Sequence, residues 1–148
     1  MKKIGWIFSL SVLLLSACAT GNTEGNMVES LIVTDGDDEY TYSVNDLEKL
    51  GAKEEEFMGE TYLGVPLKDL LMEAGFDIDN IKTVKALASD GFSILYDSPL
   101  FSREDVLVAY AISGGSLSKD DGTFRMVLPG EEGKLNLRFL VQLAVEIK

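Results

Sequence analysis

Apolar and polar positions divide this chain into two unlike parts. An apolar run from Ile4 to Leu15 follows Lys2 and Lys3, and a small, polar stretch, Ala19 to Asn26, comes soon after it. Beyond that stretch the apolar residues come in short runs broken by turn residues. Leu31-Ile32-Val33 and Tyr40-Thr41-Tyr42 flank Asp35-Gly36-Asp37-Asp38, which predicts a hairpin. Ser43-Val44-Asn45-Asp46 has the spacing of a capping box and predicts a short helix through Leu50. Phe57 to Tyr62 reads as a short extended piece. Leu67, Leu70, Leu71 and Ala74 share one helical face between Pro66 and Gly75, with Pro66 expected at the first helical position and Gly75 at the stop. After a turn at Asp77 to Asn80, Val84 to Ala88 and Phe92 to Tyr96 flank Ser89-Asp90-Gly91, a second hairpin. Ser98-Pro99 starts a helical turn. Val106 to Ile112 is apolar enough for a strand buried on both faces and ends at Gly114-Gly115. Arg125 to Leu128 and Leu137 to Ile147 supply the remaining strands. Hairpins with a few short helices between them give an α+β class with a mixed sheet.

The N-terminal pattern gains meaning from the chain's only cysteine, Cys18, in Leu15-Ser16-Ala17-Cys18. A basic start, an apolar core too short to span a bilayer, and small residues at the end describe a processed export signal. With cysteine at that point, the segment resembles a bacterial lipoprotein signal peptide with its lipobox. The resemblance implies a signal peptide at residues 1–17, a lipidated cysteine and tether over 18–26 and a folded module over 27–148. It implies an extracytoplasmic domain held to the cell membrane. Eight tether residues reach at most about 28 Å when fully extended, so the domain would work close to the lipid surface.

Charge narrows the partners. The chain has 25 acidic and 13 basic residues, and removing Lys2 and Lys3 with the signal leaves 11 basic against 25 acidic, a formal charge of −14. So acidic a domain repels phosphate backbones, which argues against nucleic acid. It suits a soluble surface domain or one with a cationic partner. There is no histidine, and the one cysteine is assigned to the lipid. Imidazole triads, imidazole metal sites, His-ligated haem, thiolate zinc sites and iron–sulfur clusters are therefore not expected.

Three segments then carry a family resemblance. The first is Tyr62-Leu63-Gly64-Val65-Pro66-Leu67-Lys68-Asp69-Leu70-Leu71, ending Glu73-Ala74-Gly75. The second is Ala88-Ser89-Asp90-Gly91-Phe92, followed by Asp105 to Tyr110. The third is Phe124-Arg125-Met126-Val127-Leu128-Pro129-Gly130-Glu131-Glu132-Gly133, then Arg138-Phe139-Leu140. In this order they resemble the molybdopterin-binding domain of the sulfite oxidase type, over about Leu31 to Lys148. That family's phrases run close to "G-V-P-L-x-D-L-L", "S-x-D-G-Y/F", "L-A-Y" and "R-L-V-x-P-G-x-x-G-x-x-x-V-K-W". The resemblance implies an oxidoreductase fold that holds a molybdenum–pterin cofactor, with a thiolate from the domain on the metal. A soft thiolate suits a metal that changes oxidation state.

The departures matter as much as the match. No cysteine stands within the domain, and the histidine expected before the Arg-x-Val strand is missing. Asp121 stands near that place, where a carboxylate would repel a pterin phosphate. Arg125 and Arg138 match basic positions that the family uses for the cofactor, with Phe139 in place of its tryptophan. By that resemblance Arg125, Gly130, Gly133 and Arg138 are the candidate cofactor-binding residues: arginine for bidentate phosphate contacts, glycine for close backbone approach. The structural alternative gives Arg125 a neighbouring carboxylate, places Arg138 on a solvated strand face, and leaves the glycines as turn residues. No catalytic residue and no metal site is assigned, and molybdopterin is not expected to be retained.

Other chemistry is weaker. Asp35, Asp37, Asp38 and Glu39 have calcium-type ligands without EF-hand spacing, as do Asp77, Asp79 and Asn80. A carboxylate pair of the glycosidase kind has no particular candidates. Gly114-Gly115 lacks the surroundings of a phosphate loop. Tyr62, Tyr96 and Tyr110 read as core-edge aromatics. Three functions follow. The preferred one is a lipid-anchored, non-catalytic module that binds a small ligand or a redox partner protein. The second is a pterin-binding redox subunit without a protein thiolate, and the third an acidic surface interaction protein.

Overall fold

The computed structural model describes residues 29–148. The expected signal peptide at 1–17 and the expected lipidated cysteine and tether over 18–26 lie outside the described residues. The chain opens with the expected hairpin, β1 (Leu31–Thr34) paired antiparallel to β2 (Glu39–Tyr42). Asp35 builds its turn: one carboxylate oxygen accepts from the Asp37 and Asp38 amides at 3.1 and 2.9 Å. Those amides, Asp38 first, hold the Asp35 carboxyl below the usual carboxylate range. Turn formation thus employs the side chain that a calcium site would have needed.

Ser43 and Asp46 form the reciprocal capping box that starts α1 (Val44–Lys49). The next hairpin joins β3 (Lys53–Phe57) to β4 (Glu60–Pro66). This corrects the expectation of one extended piece over Phe57 to Tyr62, whose middle is the turn Met58-Gly59. Pro66 ends β4 and caps α2 (Leu67–Glu73) from outside, rather than occupying its first turn. The Leu67 amide donates instead to the Val106 carbonyl at 2.8 Å. α2 closes with Gly75 donating to Met72 and Phe76 to Leu71, both at 3.0 Å, the paired bonds of a Schellman motif.

A 3₁₀ turn (Ile78–Asn80) leads into β5 (Ile81–Ala88), which pairs with β6 (Ser93–Asp97) as the second expected hairpin. After α3 (Ser98–Phe101), β7 (Leu107–Ile112) and the two-residue β8 (Gly115–Ser116) form a tight return. β9 (Arg125–Val127) lies antiparallel to β7, and β10 (Leu140–Ile147) ends the chain.

Two sheets result. One runs β2-β1-β10-β5-β6 and is mixed, because β1 and β10 are parallel. The other runs β3-β4-β7-β8 with β9 beside β7. The main core takes Leu31, Val84 and Leu143 from the first sheet, Val65, Val108 and Met126 from the second, and Leu67, Leu70 and Leu71 from α2. It therefore lies between the sheets. Alternation along β7 sends Val108 and Tyr110 into this core, and Leu107 and Ala109 to a smaller cluster with Tyr62 and Val127. Burial on both faces explains why the β7 sequence is continuously apolar. The smaller cluster is the floor on which the candidate site is built. Among the described residues, no helix is long and apolar enough to cross a membrane.

Candidate functional site

Arg125 opens β9 opposite Ala109 of β7, so strand alternation places its side chain on the same face as Val127. It is only 5% exposed. Its guanidinium carbon sits 4.7 Å from the Tyr62 ring centre and 5.7 Å from that of Phe57, within cation–π range of both. Nη1 donates to the Tyr62 hydroxyl at 3.0 Å and to Asp121 Oδ1 at 2.5 Å. Tyr62 is thus more than a core-edge aromatic, since it flanks and bonds a buried cation.

Asp121 reaches Arg125 from the loop between β8 and β9. A turn closed by the Asp121 amide on the Ser118 carbonyl, 3.0 Å, sets the backbone, and the Ser118 hydroxyl donates to Asp121 Oδ2 at 2.8 Å. The Asp121 carbonyl accepts from the Phe139 amide at 2.8 Å. Phe139 itself has φ 54°, and its carbonyl accepts from Ser89 at 2.9 Å. This positive φ breaks the expected strand from Leu137: β10 begins at Leu140, and Arg138 lies in a bend rather than on a strand face. Gly122 makes the approach possible, because a Cβ there would stand 2.9 Å from both Cα and Cδ1 of Phe139.

The opposite wall is the loop from Pro129 to Arg138. Asn136 Oδ1 accepts from the Leu128 amide at 2.6 Å, and its Nδ2 donates to the Glu132 carbonyl at 3.1 Å. Arg103 grips the turn from outside. It is bidentate on Asp105 at 2.9 Å and donates to Glu131 and to the Pro129 carbonyl, each at 2.7 Å. Bonding from Arg103 holds the Asp105 carboxyl below its usual range. Neither Asn136 nor Arg103 was singled out from sequence, although an asparagine six residues after Pro129-Gly130 is a natural loop fastener.

These elements enclose a cleft of about 380 Å³. Phe57 and Met58, Asp120 and Asp121, and Gly133, Asn136 and Arg138 line it together with Arg125 and Tyr62. Three of the four candidate residues, Arg125, Gly133 and Arg138, therefore face one cavity. Gly130 does not line it and sits exposed in the turn that Arg103 holds. A Cβ on Gly133 would meet nothing within 4 Å, so the glycine leaves space in the cleft and answers no steric demand of the protein. Gly133, Asn136 and Arg138 also border a second hollow of about 260 Å³, reaching Phe92 and Phe139. Arg138 is exposed and makes no ion pair among the described residues.

The donor set does not fit a molybdenum–pterin group. Residues 29–148 contain neither cysteine nor histidine, and no cluster of three or more His, Cys, Asp or Glu among them is placed to hold a metal. The buried arginine already has a carboxylate in front of it, which opposes an incoming phosphate.

The comparisons with known proteins match this geometry at the level of fold. The family model described as "Oxidoreductase molybdopterin binding domain" matches residues 18–148. The solved structure of the sulfane dehydrogenase SoxCD from Paracoccus pantotrophus aligns with a TM-score of 0.63 at 21% identity, covering 80% of this chain. The chain spans 38% of the SoxCD chain that it matches. No curated protein matches the chain significantly.

Proposed function

The chain belongs to the oxidoreductase molybdopterin-binding domain family, and from that premise we propose that it is a non-catalytic binding module of the family, lipid-anchored through Cys18 on the extracytoplasmic face of the cell membrane. Its cleft takes a small ligand, in the service of redox processes at the cell surface. One observation carries this reading: the cleft keeps two of the family's basic positions, while the domain lacks a thiolate and commits Arg125 to Asp121.

The remaining chemistry is that of a binding site. About 380 Å³ lies within the range of small-molecule pockets. Arg138 offers an uncommitted fork for a carboxylate or phosphate. Phe92 and Phe139 offer aromatic surface beside it, and Gly133 leaves room. Native mass spectrometry of the protein from its own host is expected to find a bound small molecule. Arg138→Ala should lower its occupancy by about tenfold, the loss of one charge-assisted pair. Unchanged occupancy would place the ligand elsewhere.

Anchoring has its own check. Cys18→Ser is expected to move the protein from the membrane fraction to the soluble fraction. A variant that stays membrane-bound would contradict anchoring through that residue.

The second reading, a pterin-binding subunit without a protein thiolate, is favoured only by Arg125 and Arg138 sharing a cavity. Asp120 and Asp121 in the same lining count against it.

A further inference from the structure

We propose that Asp121 is an internal anion: the chain itself fills the seat on Arg125 that an anionic ligand would take, and removing this carboxylate re-creates a small oxyanion site. The inference rests on the reading above only in treating the cleft as open to ligands, and cofactor content does not enter its test.

The placement of the carboxylate is specific. Two consecutive aspartates line the cleft, and they differ sharply. Asp120 is exposed, and its side chain makes no hydrogen bond to the described residues. Asp121 is 8% exposed, and both of its oxygens are occupied, Oδ1 by Arg125 and Oδ2 by the Ser118 hydroxyl. Its backbone is fixed on both sides by the Ser118 carbonyl and the Phe139 amide. Arg125 lies four positions further along the chain, and the intervening Gly122 permits the close turn against Phe139 that brings the pair together. The guanidinium is likewise held in place by Tyr62 and Phe57. A preformed buried guanidinium between aromatic rings is a strong anion receptor, and here its counter-ion is covalently part of the protein.

The consequence is selectivity. Asp121 takes Arg125 Nη1 and neutralises the guanidinium, so an anionic group entering the cleft is favoured on the unpaired Arg138. The chain keeps a cation at a basic position of the family pattern, buries it and pairs it with its own carboxylate.

Titration with inorganic phosphate, followed by calorimetry and amide NMR, tests this. Asp121→Ala is expected to bind phosphate at least about tenfold more tightly than the unsubstituted protein, since it gains a charge-assisted contact to a buried cation. Asp121→Ala combined with Arg125→Met should show no such gain. Asp121→Ser also removes the charge and most of the side chain, and carries the same expectation if the alanine variant folds poorly. An alanine variant that folds only in phosphate would itself support the seat. No gain in either single variant, or an equal gain without Arg125, overturns the proposal.

Discussion

Replacing Arg125 by alanine is expected to destabilise the domain by about 3–5 kcal/mol, because it strands the buried Asp121 carboxylate without its partner. For a domain of this size that corresponds to a fall in Tm of roughly 12–20 °C. The loss extends beyond one ion pair. Tyr62 loses a hydrogen-bond donor, and Tyr62 and Phe57 lose the cation lying against their rings. The large number does not mean that the pair is a strong net stabiliser. Burying two charges costs desolvation that their attraction barely offsets, so Arg125→Met with Asp121→Leu is expected to recover most of the loss. Thermal denaturation of the single and double variants separates these statements. A single variant within about 1 kcal/mol of the unsubstituted protein would mean that water already solvates the pair.

Gly64→Ala is the second large effect, expected at about 3 kcal/mol, the upper end for an inserted group in a packed interior. Gly64 lies in β4 opposite Ala109 of β7, beside a register shift between Leu63 and Gly64. A Cβ there would stand 2.3 Å from the Val108 carbonyl oxygen and 2.7 Å from the Ala109 Cα. Both are backbone atoms, so no side chain can turn aside and the strands themselves must part. Leu107 and Ala109 form the floor under Tyr62, so the damage should reach the cleft. Denaturant unfolding measures the cost, and a variant as stable as the parent would show that the β4–β7 bulge can widen freely.

Gly64 also shows how the sequence could be read. It belongs to Gly-Val-Pro-Leu, one of the phrases that carried the family resemblance, and the structure supplies the steric reason for the glycine. The hairpins at Asp35-Gly36 and Asp90-Gly91 were legible because their turn chemistry is strong and local. The β3–β4 hairpin was not. Its inward-leaning positions in β3 are Lys53, Glu55 and Phe57, so charge hides the alternation. Its turn uses Met58 at φ 53° and Gly59 at φ 83°, in place of the usual asparagine or aspartate before glycine.

The site divides in the same way. Arg125 and Arg138 stand at basic positions of the family pattern, and in so acidic a chain a carboxylate partner is the structural alternative for Arg125. That they share a cavity depends on the bend at Phe139, an unusual backbone conformation for a bulky residue, which no local pattern signals. Arg103 donates to the Pro129 carbonyl from a distant part of the chain, and such long-range fastening leaves no periodic trace, whereas Asn136 fastens its own loop through Leu128 and Glu132.

The central claim is that this domain has the family's fold without its molybdenum chemistry. The most direct measurement is the molybdenum and pterin content of the protein purified from its own host grown with molybdate. The account predicts neither above trace level, with the cleft holding a different small molecule or none. One molybdenum and one pterin per chain would contradict it.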